Sequence, residues 1–203
     1  ATLLVAPLAE ALKASVPLIA LVQDVNRSET DRNAFQEFDH IALFASCTKW
    51  VRRVSEASRV EDYIDQAFVA ACSGVPGPVA LILPADLLLE EAPKSKRLNT
   101  LGYFPLDRTV PLRSDLKIAA DLIAKAKNPL IIVGGGIHLS GAQEALSQLQ
   151  EKANLAIATT VMGKGSVDEQ HPLSVGVIGY FMGPNGNTHF QKEIVSNADV
   201  IVL

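Results

Sequence analysis

The sequence is poor in cysteine, aromatic residues and basic charge, and each shortage closes a route. Two cysteines among 203 residues, Cys47 and Cys72, are too few and too far apart for a disulfide scaffold or a zinc site. They read as small core residues, in keeping with a cytoplasmic location. Basic residues number 18 against 22 acidic ones, a net charge of −4, so no electrostatic footprint for nucleic acid exists. No apolar run reaches the roughly 18–20 residues of a membrane span. Ala1–Glu10 lacks the basic stretch that opens a signal peptide. The four histidines, His40, His138, His171 and His189, make no H-x-x-x-H pair, so no metal site is expected. A Gly-x-Ser-x-Gly elbow is missing too, which removes the usual serine hydrolase.

What is present fits a globular protein with a real core: 48% of residues are apolar and 20% charged. The length allows one large domain or two smaller ones. The organising stretch is Ser73–Asp86. Gly74 and Pro76–Pro78 punctuate it, and Val79–Leu83 is an unbroken apolar run of strand length. Such a run suits a strand covered on both faces of a parallel sheet. Before it, Val60, Ile64, Ala67, Phe68 and Ala71 recur at helical spacing, with Ser58 as the expected cap and Gly74 as the stop.

Taken in order, the chain opens on a partial helix (Leu8, Ala11, Leu12) and a strand at Pro17–Val22. A polar connection, Gln23–Asn33, then carries Asp24, Arg27, Glu29, Asp31 and Arg32. Phe35, Phe38 and Trp50 follow closely, which implies that something packs on this region. From Leu87 to Arg113 prolines and charges replace any sustained period, and this reads as a linker. Ser114 caps a helix striped with Leu116, Ala119, Ala120 and Ile123. A strand at Leu130–Val133 leads into Gly134-Gly135-Gly136. A helix from about Ser140 (Ala142, Ala145, Leu146, Leu149, Ala153) and a strand at Leu155–Thr160 come next. Alternation at this spacing means α/β with parallel sheets. The start without Met and the close on Val200–Leu203, an apolar strand, suggest an internal piece of a longer enzyme.

Chemistry concentrates at two glycine-containing turns. Gly134–Gly136 follow one strand, and Thr159-Thr160 with Gly163-Lys164-Gly165 follow the next. Backbone N–H groups there can approach a phosphate. A tight strand-to-helix turn remains the plain alternative. Leu139 interrupts the Gly-x-Gly-x-x-Gly fingerprint, and no acidic ribose partner marks the following strand, so an NAD-dependent dehydrogenase is poorly supported. A third stretch, Gly176–Gly186 with Tyr180, Phe181 and Met182, reads as either a wall for a flat ring or a surface loop.

These residues resemble a known family, the thiamine diphosphate-dependent enzymes of the acetolactate (acetohydroxyacid) synthase type. The carriers are Ala34-Phe35-Gln36-Glu37, Cys47-Thr48-Lys49, Gly77-Pro78-Val79 with Leu83-Pro84-Ala85-Asp86, the triple glycine, and Thr160-Val161-Met162-Gly163-Lys164-Gly165-Ser166 before His171-Pro172. The resemblance implies two parallel-sheet α/β domains. Residues 1–90 would be the C-terminal part of a pyrimidine-binding (PYR) domain, 91–111 a linker, and 112–203 a truncated, Rossmann-like middle domain. It also implies a 2-oxo acid substrate, thiamine diphosphate with Mg²⁺, and at least a homodimer, or a homotetramer. Phe35 and Gln36 would border the active site and Lys49 the substrate approach. Gly134, Gly135, Gly136, Thr160, Val161 and Met162 would contact FAD in flavin-containing members, or ADP in relatives. By the same resemblance the catalytic Glu and the diphosphate/Mg²⁺ motif lie outside these residues, so the piece alone would be inactive. Gly179–Gly183 departs from the synthases' usual Gly-Met-His-Gly. The rival reading is a non-catalytic nucleotide-binding or oligomerisation module.

Overall fold

The computed structural model describes residues 1–91, 94, 109–179 and 182–203. Most of the linker stretch, together with Tyr180 and Phe181, lies outside the described residues. The chain divides into two compact units, Ala1–Arg108 and Thr109–Leu203. Both are α/β with parallel strands.

In the first unit the elements are α1 (Val5–Lys13), β1 (Leu18–Asp24), α2 (His40–Ala45), β2 (Trp50–Arg53), α3 (Val60–Cys72) and β3 (Pro78–Pro84). The sheet order is β1-β3-β2, with β3 in the centre. Its alternation divides the core. Ala80 and Ile82 pack with Leu8, Val22 and Phe44 on one face, while Val79 and Leu81 pack with Val54, Ala67 and Ala71 on the other. The apolar run at 79–83 therefore has the two-sided cover that its composition predicts.

The helix before it departs from expectation in two details. Ser58 lies inside a 3-10 turn, Ala57–Arg59, and α3 starts from Arg59 without a side-chain cap. Phe68 is half exposed, because Ala67 and Ala71, which are smaller, let α3 sit close to β3. Two short elements, α2 and β2, are absent from the sequence reading. Asp39 begins α2 by accepting a hydrogen bond from the Ala42 amide at 2.9 Å.

The second unit comprises α4 (Arg113–Lys125), β4 (Pro129–Val133), α5 (Gly136–Ser140), α6 (Gln143–Ala153), β5 (Ala156–Thr159), β6 (Ser174–Val177), α7 (Lys192–Asn197) and β7 (Val200–Val202). Its sheet order is β6-β5-β4-β7. Ile131, Val133, Leu146, Leu155 and Ile157 form one core cluster, and Leu130, Ala158 and Val175 form the opposite one.

Ser114 hydrogen-bonds Asp115, and the cap position belongs to Leu112. Within the stripe on α4 only Ile123 packs on the core; Leu116 is exposed. The helix expected from about Ser140 is α6, which starts at Gln143; the separate short α5 ends at Ser140, where Gly141 turns left-handed (φ +64°). Leu146 and Gln150 bury α6, and Leu149 stays exposed. His189 lies in a 3-10 turn ahead of α7. The Asp199 carboxylate accepts from the Lys127 and Asn128 amides at 2.7 and 2.9 Å. Those backbone N–H groups hold it below the usual carboxylate range and tie the approach to β7 to the approach to β4.

Candidate functional site

Two places combine chemistry-bearing residues with geometry suited to a ligand, one in each unit. The first is the connection from β1 to α2. Asp24 ends β1 at the carboxyl edge of the sheet, where α/β proteins place their ligands. A cavity of about 680 Å³ opens there, walled by Leu21, Val25, Phe35, Gln36, Phe38 and His40. The connection is strained: Asp31, Asn33 and Gln36 all have positive φ, at 64°, 55° and 66°. Asp and Asn enter that region readily, whereas Gln has no such ease, and each residue costs on the order of 1 kcal/mol or more. Strain of this kind collects where a side chain must be aimed.

The loop is held by its own carboxylate. Glu37 accepts hydrogen bonds from the backbone amides of Asp31 and Ala34, the latter at 3.0 Å. These bonds, Asp31 first, lower the Glu37 pKa, so the side chain is a charged brace through the neutral range. Arg27 fastens the rim. Its amide and Nε donate to Asp86 at 2.9 and 2.7 Å, its Nη1 donates to the Ser55 carbonyl at 2.7 Å, and its Nη2 pairs with Glu90. The Arg27 amide and guanidinium hold the Asp86 carboxyl below its ordinary value.

Of the residues singled out in this unit, the structure brings Phe35 and Gln36 together on one wall. Phe35 is 89% exposed, a large apolar ring with nothing of its own unit packed over it. Lys49 lies apart, beside the amino end of β2. Its amide donates to the Pro78 carbonyl, its Nζ donates to the Ser73 carbonyl at 2.8 Å, and its stem fills the space over Gly77.

Sequence reading passed over a buried polar node beneath this loop. Asp24, treated as part of an exposed connection, has a side chain only 7% exposed, and His40 is 5% exposed. The carboxylate lies 3.2 Å from His40 Nδ1 and 3.0 Å from Arg53 Nη2. A carboxylate directly ending an apolar strand run was the available signal. Its two partners sit 16 and 29 positions further on, and no local pattern links them.

The second place is the carboxyl edge of β4 and β5. From β4 the chain winds through β5 to β6, while β7 lies on the other side of β4, so the end of β4 is the switch point where open α/β sheets bind ligands. Gly134–Gly136 and Thr160–Gly163 meet there. A Cβ on Gly135 would touch Met162 Cβ at 3.3 Å, and one on Gly163 would lie 2.2 Å from the Val133 carbonyl oxygen. Thr160 caps its turn, its Oγ1 accepting from the Gly163 amide at 3.2 Å. His138 stitches the turns together: Nε2–H donates to the Lys164 carbonyl at 3.0 Å, which leaves Nδ1 to accept from Gln143 at 3.2 Å. Val161 and Met162 stay half exposed, and Thr159 Oγ1 is buried with no hydrogen-bond partner. Glycine turns at a switch point let backbone N–H groups approach a phosphate-bearing ligand. Among the described residues no group of three or more His, Cys, Asp or Glu could hold a metal ion. No helix of the described residues is long and apolar enough to cross a membrane.

Two parallel α/β units, the second with glycine turns at its carboxyl edge, have the architecture of ligand-binding α/β proteins, and comparison narrows the class. Residues 116–203 match the model of the thiamine pyrophosphate enzyme central domain. The whole chain is 38% identical over 207 residues to an acetolactate synthase large subunit of Methanococcus aeolicus, covering 33% of that protein. It is 36% identical over 208 residues to the acetolactate synthase of Arthrospira platensis, again from end to end of this chain and over 35% of the relative. Among solved structures, one from Mycobacterium smegmatis, described as a thiamin diphosphate-dependent enzyme, superposes with a TM-score of 0.80 at 23% identity. It covers 97% of this chain and 37% of that one, and shows the shared fold. Residues 116–203 thus form a thiamine pyrophosphate enzyme central domain and the chain as a whole is acetolactate synthase-like; it spans about a third of the length of the curated relatives it matches.

Proposed function

We propose that the full-length protein is a thiamine diphosphate-dependent carboligase or decarboxylase acting on a 2-oxo acid. We further infer that these 203 residues do not turn over substrate alone. The observation that carries the reading is Gln36, held at φ +66° beside Phe35 on the wall of a cavity at the carboxyl edge of a parallel sheet. Thiamine diphosphate, when bound, supplies a thiazolium carbanion and an electron sink. Within this chain Phe35 contributes an apolar wall, which would exclude water once the assembled site covers it, and Gln36 contributes an amide to orient the reacting groups. Lys49, at the amino edge of this unit with its Nζ on the Ser73 carbonyl, would favour an anionic carboxylate only if assembly of the full-length protein brings a substrate approach to that edge. In the second unit, Gly134, Gly135, Gly136, Thr160, Val161 and Met162 would hold FAD or ADP, largely through backbone groups. Mg²⁺ would be held by residues other than these, and a homodimer or homotetramer would assemble the site. Two unpaired thiols, Cys47 and Cys72, suit a reducing cytoplasm.

The test is to supply full-length protein with thiamine diphosphate, Mg²⁺ and pyruvate or another 2-oxo acid, and to follow CO₂. Release that stops when thiamine diphosphate is omitted is the expected result. Nucleotide retained by the protein, with no CO₂ from any 2-oxo acid, would instead establish the non-catalytic module.

A further inference from the structure

The β1–α2 connection carries Phe35 and Gln36, yet its conformation is unfavourable at three residues. Something outside the loop must hold its two stems. The C-terminal stem ends at His40, the first residue of α2, whose amide donates to the Phe38 carbonyl at 2.8 Å. The ring of His40 stacks on Phe44 with 11° between planes. The N-terminal stem includes Thr30, whose Oγ1 accepts from Arg53 Nη2 at 3.0 Å. Both stems converge on one carboxylate. Asp24 Oδ1 lies 3.2 Å from His40 Nδ1, in contact but without hydrogen-bond geometry, and Asp24 Oδ2 pairs with Arg53 Nη2 at 3.0 Å. Asp24 is itself fixed: Oδ1 accepts from the Val25 amide at 2.9 Å, and its carbonyl accepts from the Ala85 amide at 3.0 Å.

We propose that Asp24 is a positioning residue: through His40 on one side and Arg53–Thr30 on the other, it clamps both stems of the loop and so keeps Gln36 aimed into the cavity. The inference rests on the proposed function for what Gln36 does there, but the clamp itself is a statement about residues 24–53. A buried carboxylate is costly unless paired; this one pairs with Arg53, which also holds Thr30, and rests against the His40 ring at the other end of the same strained segment. The inner brace, Glu37 on the Asp31 and Ala34 amides, then sets the loop's shape between fixed ends. Asp24 touches no reacting atom in this account. It acts through Gln36.

The test uses the full-length holoenzyme. Asp24→Ala is expected to lower kcat about 100-fold, the effect of a small misplacement at a reacting centre, with KM changed far less. Asp24→Asn keeps the shape and an acceptor for Arg53, and should restore most of the rate. Because Asp24 works through Gln36, the pair Asp24→Ala/Gln36→Ala should be no slower than Gln36→Ala alone. Amide hydrogen exchange supplies a readout that needs no turnover. Asp24→Ala and the milder Thr30→Val, which removes only the Arg53 link at the loop stem, should both speed exchange at Asp31 and Ala34 by about tenfold or more. Should Asp24→Ala fail to fold, Thr30→Val carries the exchange comparison. Unchanged exchange at Asp31 and Ala34 overturns the clamp, as do rate losses for Asp24 and Gln36 that simply multiply. Wild-type protein that turns over no 2-oxo acid refutes the proposed reaction and leaves the exchange experiment to decide the clamp.

Discussion

Gly163→Ala is expected to be the most damaging single methyl in the second unit, costing about 3 kcal/mol or more and loosening both turns of its crevice. The added Cβ would sit 2.2 Å from the Val133 carbonyl oxygen and 2.9 Å from its carbon. Both atoms are backbone at the carboxyl end of β4, so no rotamer change relieves the overlap. That same carbonyl accepts the Thr160 amide at 2.8 Å, which locks the contact from the other side. Either the turn lifts from the sheet and loses the Thr160 cap, or β4 shifts against β5. Gly136→Ala is the matched control. Nothing lies within 4 Å of its built Cβ, and the residue opens α5, so stability should change by less than about 1 kcal/mol. Chemical denaturation of full-length protein compares the two; equal stability for both variants would contradict the close turn-to-strand contact.

Phe44→Ala should destabilise the first unit by about 3–5 kcal/mol, a large share of the 5–15 kcal/mol available to a typical domain. Its ring is fully buried and packs with Leu8, Val22 and Ile82, which come from α1, β1 and β3. Truncation leaves a void among elements too rigidly held by the sheet to collapse into it. The void also undercuts the His40 ring stacked above, so the loop stem should loosen with the core. Phe35→Ala removes the same side chain from a surface position, and its effect on stability should stay within about 0.5 kcal/mol. Thermal or denaturant midpoints decide the contrast, and comparable losses for the two phenylalanines would refute the placement of Phe35.

That contrast marks where the sequence was legible. Elements with one dominant signal could be read directly: the unbroken run at 79–83, fenced by turn residues, suited a two-sided strand, and glycine turns after 133 and 160 pointed to one edge. Short elements could not. Six residues of α2 and four of β2 are too few for a period to emerge, and their burial depends on β3, nearly 30 residues beyond β2. The stripe on α4 misled because periodicity reports what a helix could bury, whereas Leu116 and Leu122 are exposed. Capping failed for a related reason. Ser58 and Ser114 have the right chemistry, but a 3-10 turn and a neighbouring Asp115 claim those positions. At the candidate site, Phe35 and Gln36 were visible only as part of a motif. The clamp of Asp24, His40 and Arg53 was invisible because three separated residues meet only after the sheet has formed.

The measurement that tests the account most directly is the structure of the full-length protein with thiamine diphosphate and a 2-oxo acid analogue bound. The expected result places the Gln36 side chain within hydrogen-bond reach, about 2.7–3.2 Å, of cofactor or analogue, with its φ still positive. A complex in which the ligands occupy a pocket that residues 33–38 do not border would contradict it.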